Sequence, residues 1–97
     1  MKTRPSDYLN TVQLLNQLAE EAAELASAAN KMIRIIDGAN PTPVSAERGW
    51  ENVLEEIADV QVCAGEILNL DNWERVVNMR DEKTTRWMQR LEEEWGE

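Results

Sequence analysis

The chain is 97 residues long, carries 19 Asp plus Glu against 10 Lys plus Arg, and has no histidine, giving a formal net charge of −9. Without imidazole there is no Ser-His or Cys-His nucleophile pair and no histidine-containing zinc site, and a single cysteine, Cys63, excludes an internal disulfide and a cysteine-rich metal cluster. The acidic balance argues against a nucleic-acid polymer, which rewards clustered Lys and Arg, but admits a phosphorylated small molecule when a divalent cation stands between the two.

The length fits one domain, residues 1–97. The first residues, Met1 to Asp7, hold no apolar core of signal-peptide length, and no apolar run approaches a membrane span. A cytoplasmic protein with no membrane partner is expected.

The first predicted helix starts near Ser6 or Asp7, either a suitable N-cap, and ends at Gly38. Its stripe, Tyr8, Val12, Leu15, Leu18, Ala22, Leu25, Ala29, Met32 and Ile36, advances in steps of three and four. A joint rich in breakers, Asp37 to Pro43, follows. The second helix runs from after Ser45 to about Leu68, with Trp50, Val53, Leu54, Ile57, Val60, Ala64 and Leu68 on one face. Gly49 and Gly65 each weaken it by roughly 1 kcal/mol relative to Ala.

The third helix is capped by Asp71 or Asn72 and carries Trp73, Val76, Val77, Met79, Trp87, Met88, Leu91 and Trp95. Its polar stretch, Met79 to Arg86, is a candidate for a break or kink. The fold class is therefore all-α, a helical bundle of three main helices per chain. Three long helices leave an apolar face over, so a four-helix core completed by oligomerisation is expected; a self-contained three-helix bundle is the alternative.

Candidate chemistry lies on the first two helices. Glu21 and Glu24 on one, and Glu56 and Asp59 on the other, stand three residues apart and so project together. Both pairs fall at the edge of the apolar stripe. Like charges held close require a compensating cation, and oxygen ligands alone select Mg²⁺, Mn²⁺ or Ca²⁺. Such an ion can make a water acidic enough to attack phosphorus. Spacing does not single these pairs out, because Asp71/Glu74 and Glu94/Glu97 share it. A solvated acidic face is the other reading.

At these residues the sequence resembles the MazG-like nucleoside triphosphate pyrophosphohydrolases of the all-α NTP pyrophosphatase superfamily. The pattern is Glu-Glu-x-x-Glu on one helix, here Glu20, Glu21 and Glu24, then Glu-x-x-Asp on the next, here Glu56 and Asp59. The intervening 31 residues are somewhat long for the family and contain the Pro-rich joint. The resemblance covers roughly residues 8 to 91. It implies Mg²⁺-dependent hydrolysis of a (deoxy)nucleoside triphosphate to the monophosphate and pyrophosphate, with Mn²⁺ as a substitute ion, in a homodimer or homotetramer. A nucleotide-pool housekeeping role follows from it; phosphoribosyl-ATP is an alternative substrate, and a non-catalytic acidic interaction protein an alternative function.

Carried over, Glu21, Glu24, Glu56 and Asp59 are the metal ligands, and Glu20 supports them or orients the water. The family's basic residues on the following helix correspond to Lys83, Arg86 and Arg90, expected to meet phosphate; ordinary surface pairing with nearby acids is their other reading. Trp87 stands about where the family carries an Asn. Asn10 and Gln17, on the Glu21 side of the first helix, are weak candidates for base contacts. Lys31 is a further nucleotide-binding candidate, although a cation near a helix C-terminus is also favoured by the dipole. The four tryptophans suit core or interface better than base stacking, and Cys63 reads as a small buried thiol near Glu56 and Asp59.

Overall fold

The computed structural model describes residues 1–38 and 44–96. Among these there are three helices, α1 (Thr11–Asp37), α2 (Ala46–Ile67) and α3 (Leu70–Trp95), preceded by a 3₁₀ turn at Pro5–Asp7, and no strand. The chain is all-helical, and none of these helices is long and apolar enough to cross a membrane. Most of the predicted joint, residues 39–43, lies outside the described residues.

The helix ends follow from local hydrogen bonding and correct two expected caps. Ser6 and Asp7 do not start α1: the Asp7 carboxylate accepts from the Thr3 and Arg4 backbone N–H groups, and the Ser6 N–H donates to Glu66. Asn10 takes the cap instead, its Oδ1 accepting from the Gln13 N–H at 2.8 Å while the Gln13 side chain accepts from the Asn10 N–H at 2.9 Å. That reciprocal pair satisfies two otherwise orphaned donors. At α3, Asn69 replaces Asp71 and Asn72 as cap, accepting from the Asn72 N–H. The first helix does end on Gly38, whose φ of +65° is the left-handed conformation that glycine adopts without strain.

The chain forms two units, Met1–Ile67 and Leu68–Glu97. In the first, α1 and α2 pack antiparallel. The buried apolar side chains are Leu14 on α1 and Val53 and Cys63 on α2. Gly49, also buried, explains one helix-weakening residue: a Cβ there would stand 2.6 Å from Ile35 Cδ1 and 3.1 Å from Met32 Sδ. The missing side chain lets the two helices approach.

The buried stripe is rotated from the expected one. On α1 the side turned inward is Leu14, Leu18, Glu21, Leu25, Ala28 and Met32, while Val12, Leu15 and Ile36 are exposed. On α2 it is Gly49, Val53, Glu56, Val60 and Cys63, while Trp50, Leu54 and Ile57 are exposed. Each helix carries an apolar arc wider than one neighbour covers, and the inward side takes in one carboxylate from each. The N-terminal segment is tied to α2 by a 2.7 Å ion pair between Arg4 and Glu66.

The second unit is α3 itself. It runs unbroken through Met79–Arg86, so the polar stretch does not interrupt it; Thr84 and Thr85 donate their hydroxyls to the Arg80 and Asp81 carbonyls within the helix. No residue of α3 is buried.

Candidate metal centre on the α1–α2 face

Glu21, Glu24 and Glu56 each offer a carboxylate oxygen, and the three oxygens lie within 4.8 Å of one another. Antiparallel packing produces this, because the middle of α1 faces the middle of α2. Glu21 and Glu56 are half-buried and Glu24 is exposed. Gln17, one turn before Glu21, donates its amide to Glu21 Oε1 at 2.8 Å. The other oxygens, Glu21 Oε2 and Glu56 Oε2, are shielded from solvent and have no hydrogen-bond partner among the described residues. Shielded acceptors without partners are costly, and two of them beside a third carboxylate fit a hard divalent cation as the missing partner.

The electrostatics point the same way. The Gln17 amide, the largest single influence on Glu21, lowers its pKa. Burial and the neighbouring charges of Glu24 and Asp59 outweigh it, so the Glu21 carboxyl is held above its ordinary range. Asp59 is exposed and stands outside the trio, although its charge reaches Glu21 and Cys63. Cys63 is buried against this face, and burial first, then Glu21 and Asp59, raises its pKa. A raised thiol stays protonated and unreactive.

Other sequence-selected residues are placed as follows. Glu20 is exposed on α1, next to but not within the trio. Asn10 is occupied as the α1 cap, and Gln17 orients Glu21. Lys83, Arg86 and Arg90 lie with Trp87 along one face of α3 and make no ion pair with their acidic neighbours among the described residues. Trp50, Trp73, Trp87 and Trp95 are 54, 41, 61 and 79 % exposed, so none is in the core of the single chain.

Next to the trio lies a groove lined by Glu24, Ser27, Ala28, Lys31, Asn52 and Glu56; the sequence points to Glu24, Lys31 and Glu56, and Ser27, Ala28 and Asn52 are the residues it misses. A signal is present: Ser27 is three residues after Glu24, and Asn52 four before Glu56, positions that share a helix face. Nothing in the sequence pointed to the Arg4–Glu66 pair. No family model, curated protein or solved structure matches the chain.

Proposed function

We propose that the chain is a Mg²⁺-dependent nucleoside triphosphate pyrophosphohydrolase resembling the MazG-like enzymes. One observation carries the reading: one oxygen from each of three carboxylates on two helices comes within 4.8 Å of the others, and two shielded oxygens have no partner among the described residues. Glu21, Glu24 and Glu56 would hold the ion, the resemblance adds Asp59 from the exposed edge of the trio, and Mn²⁺ would substitute. When bound, the ion neutralises phosphate charge and acidifies a water.

The chain's own residues supply the rest. Gln17 fixes Glu21 through one oxygen and leaves the other for the ion. Glu20 orients the attacking water and takes its proton, because a chain without histidine has carboxylates as its bases. The water oxygen bonds to one phosphorus of the α–β anhydride, that P–O bond breaks, and the monophosphate and pyrophosphate separate. The resemblance to the MazG-like enzymes assigns Lys83, Arg86 and Arg90, on the basic face of α3, to the phosphate charge of the substrate. The assembly is a homodimer or homotetramer, which covers the apolar arcs left open on α1, α2 and α3.

Pyrophosphate release from a panel of nucleoside triphosphates, with Mg²⁺ and with EDTA, tests the activity. Turnover of at least one nucleotide only with the metal is expected; no turnover at micromolar enzyme refutes it. Glu21→Gln and Glu56→Gln should abolish turnover while helix content by circular dichroism stays unchanged.

A second reading, an acidic interaction protein without catalysis, draws on the apolar surface: Val12, Ile36, Trp50 and Val62 are each more than half exposed. It predicts no gain in thermal stability from Mg²⁺ or Mn²⁺, whereas a carboxylate site gains through linkage.

A further inference from the structure

The groove beside the trio has both acidic and basic side chains in its lining. It is lined by the carboxylates of Glu24 and Glu56, by Lys31 seven residues after Glu24 on α1, by Asn52 four residues before Glu56 on α2, and by Ser27 and Ala28. The groove measures about 310 Å³, at the lower end of the range for small-molecule sites, about 300–1,000 Å³.

Lys31 lies two turns after Glu24 on α1, a rise of about 10 Å. Side chains on a helix lean toward its N-terminus, so a long side chain at Lys31 leans back over Ala28 toward Glu24. Lys31 is half-buried, and it forms neither an ion pair nor a hydrogen bond among the described residues, although two carboxylates line the same groove. Its ammonium retains three donors. The Asn52 amide and the Ser27 hydroxyl add neutral donors, and Ala28 is small enough to leave the space open.

We infer that this groove is an anion subsite, in which Lys31, Asn52 and Ser27 receive a phosphate of a polyphosphate chain whose neighbouring phosphate is held at the carboxylate trio through the divalent ion. The inference rests on the proposed metal centre and assigns phosphate contact to unit Met1–Ile67 itself, independently of the basic face of α3. A ligand with two adjacent phosphates meets both the ion and Lys31; a single phosphate meets one of them.

Calorimetric titration of the full chain with Mn²⁺, then of the Mn²⁺-loaded protein with inorganic pyrophosphate, separates the two ideas. Lys31→Met should leave Mn²⁺ affinity unchanged or tighter and weaken pyrophosphate by about tenfold or more, the loss of a charge-assisted contact. Lys31→Arg should restore most of it. Ala28→Met, which fills the groove without altering charge, should weaken pyrophosphate and spare Mn²⁺. Failure of the Mn²⁺-loaded protein to bind pyrophosphate overturns the subsite and leaves the metal centre standing. Wild-type pyrophosphate affinity in either Lys31→Met or Ala28→Met does the same. Absence of Mn²⁺ binding to the wild-type chain overturns both.

Discussion

Gly49 sets the distance between α1 and α2, and its substitution series tests whether that distance matters. A Cβ at this position would stand 2.6 Å from Ile35 Cδ1 and 3.1 Å from Met32 Sδ. Ordinary carbon contacts lie at about 3.5–4.0 Å, so the Ile35 methyl must retreat by about 1 Å. A terminal methyl does so by leaving its preferred rotamer, at about 0.5–1.5 kcal/mol. Against this, Ala gains about 1 kcal/mol over Gly in a helix interior. Gly49→Ala should therefore change stability by less than about 1 kcal/mol, because the two contributions nearly cancel.

Gly49→Leu adds further carbons in the same direction and should cost about 1–3 kcal/mol by overpacking. Ile35→Val removes the clashing methyl, so Gly49→Ala in that background should recover the helix gain, with a coupling of about 0.5–1.5 kcal/mol in the double-mutant cycle. Urea unfolding measures all four variants. A Gly49→Leu protein as stable as the wild type, or additivity of Gly49→Ala and Ile35→Val, refutes the close approach. The same leucine should also weaken Mn²⁺ binding, since wider spacing separates Glu56 from Glu21 and Glu24.

Two carboxylates should give pH effects of opposite sign. Arg4, then the Ser6 backbone N–H, holds Glu66 at a pKa of about 2 against an ordinary 4.5. Its contribution to stability is present above pH 4.5 and is lost as pH falls toward about 2; Arg4→Ala should remove that dependence, as followed by NMR titration of the Glu66 side chain and by acid unfolding. Glu21 is raised above its usual value, so its charged form opposes folding at neutral pH; Glu21→Gln should raise the melting temperature in EDTA and abolish the rise that Mg²⁺ gives the wild type. Asn10→Ala removes the α1 cap and should cost about 1 kcal/mol in thermal unfolding, with pyrophosphate affinity unaffected because Asn10 serves the helix end.

The helices were legible because their evidence is local. Periodicity, the Gly38 stop and the scarcity of breakers all act within a few residues. Caps were less legible: Asn10 outcompetes Ser6 and Asp7 because those two are engaged with Glu66 and with the backbone of Thr3 and Arg4, and Glu66 is 60 residues from Ser6. The buried stripe lies a fraction of a turn from the one periodicity predicts because each helix has apolar residues over a wide arc, and packing of Gly49 against Ile35 and Met32 selects the angle. Of the four carboxylates named from spacing, three meet across the α1–α2 face and Asp59 stays at its exposed edge. Spacing gives a side chain's position around its own helix, whereas convergence depends on the partner's rotation.

The exposure of all four tryptophans, between 41 and 79 %, has an optical consequence. Indoles in contact with water emit at longer wavelength than indoles in apolar surroundings, and here every indole of an isolated chain is wet. Unfolding such a chain changes the colour of its emission little, while joining two chains through these surfaces shifts it to the blue. If chains associate through these surfaces, intrinsic fluorescence registers that association more than folding, and a dilution series read at a single wavelength follows it.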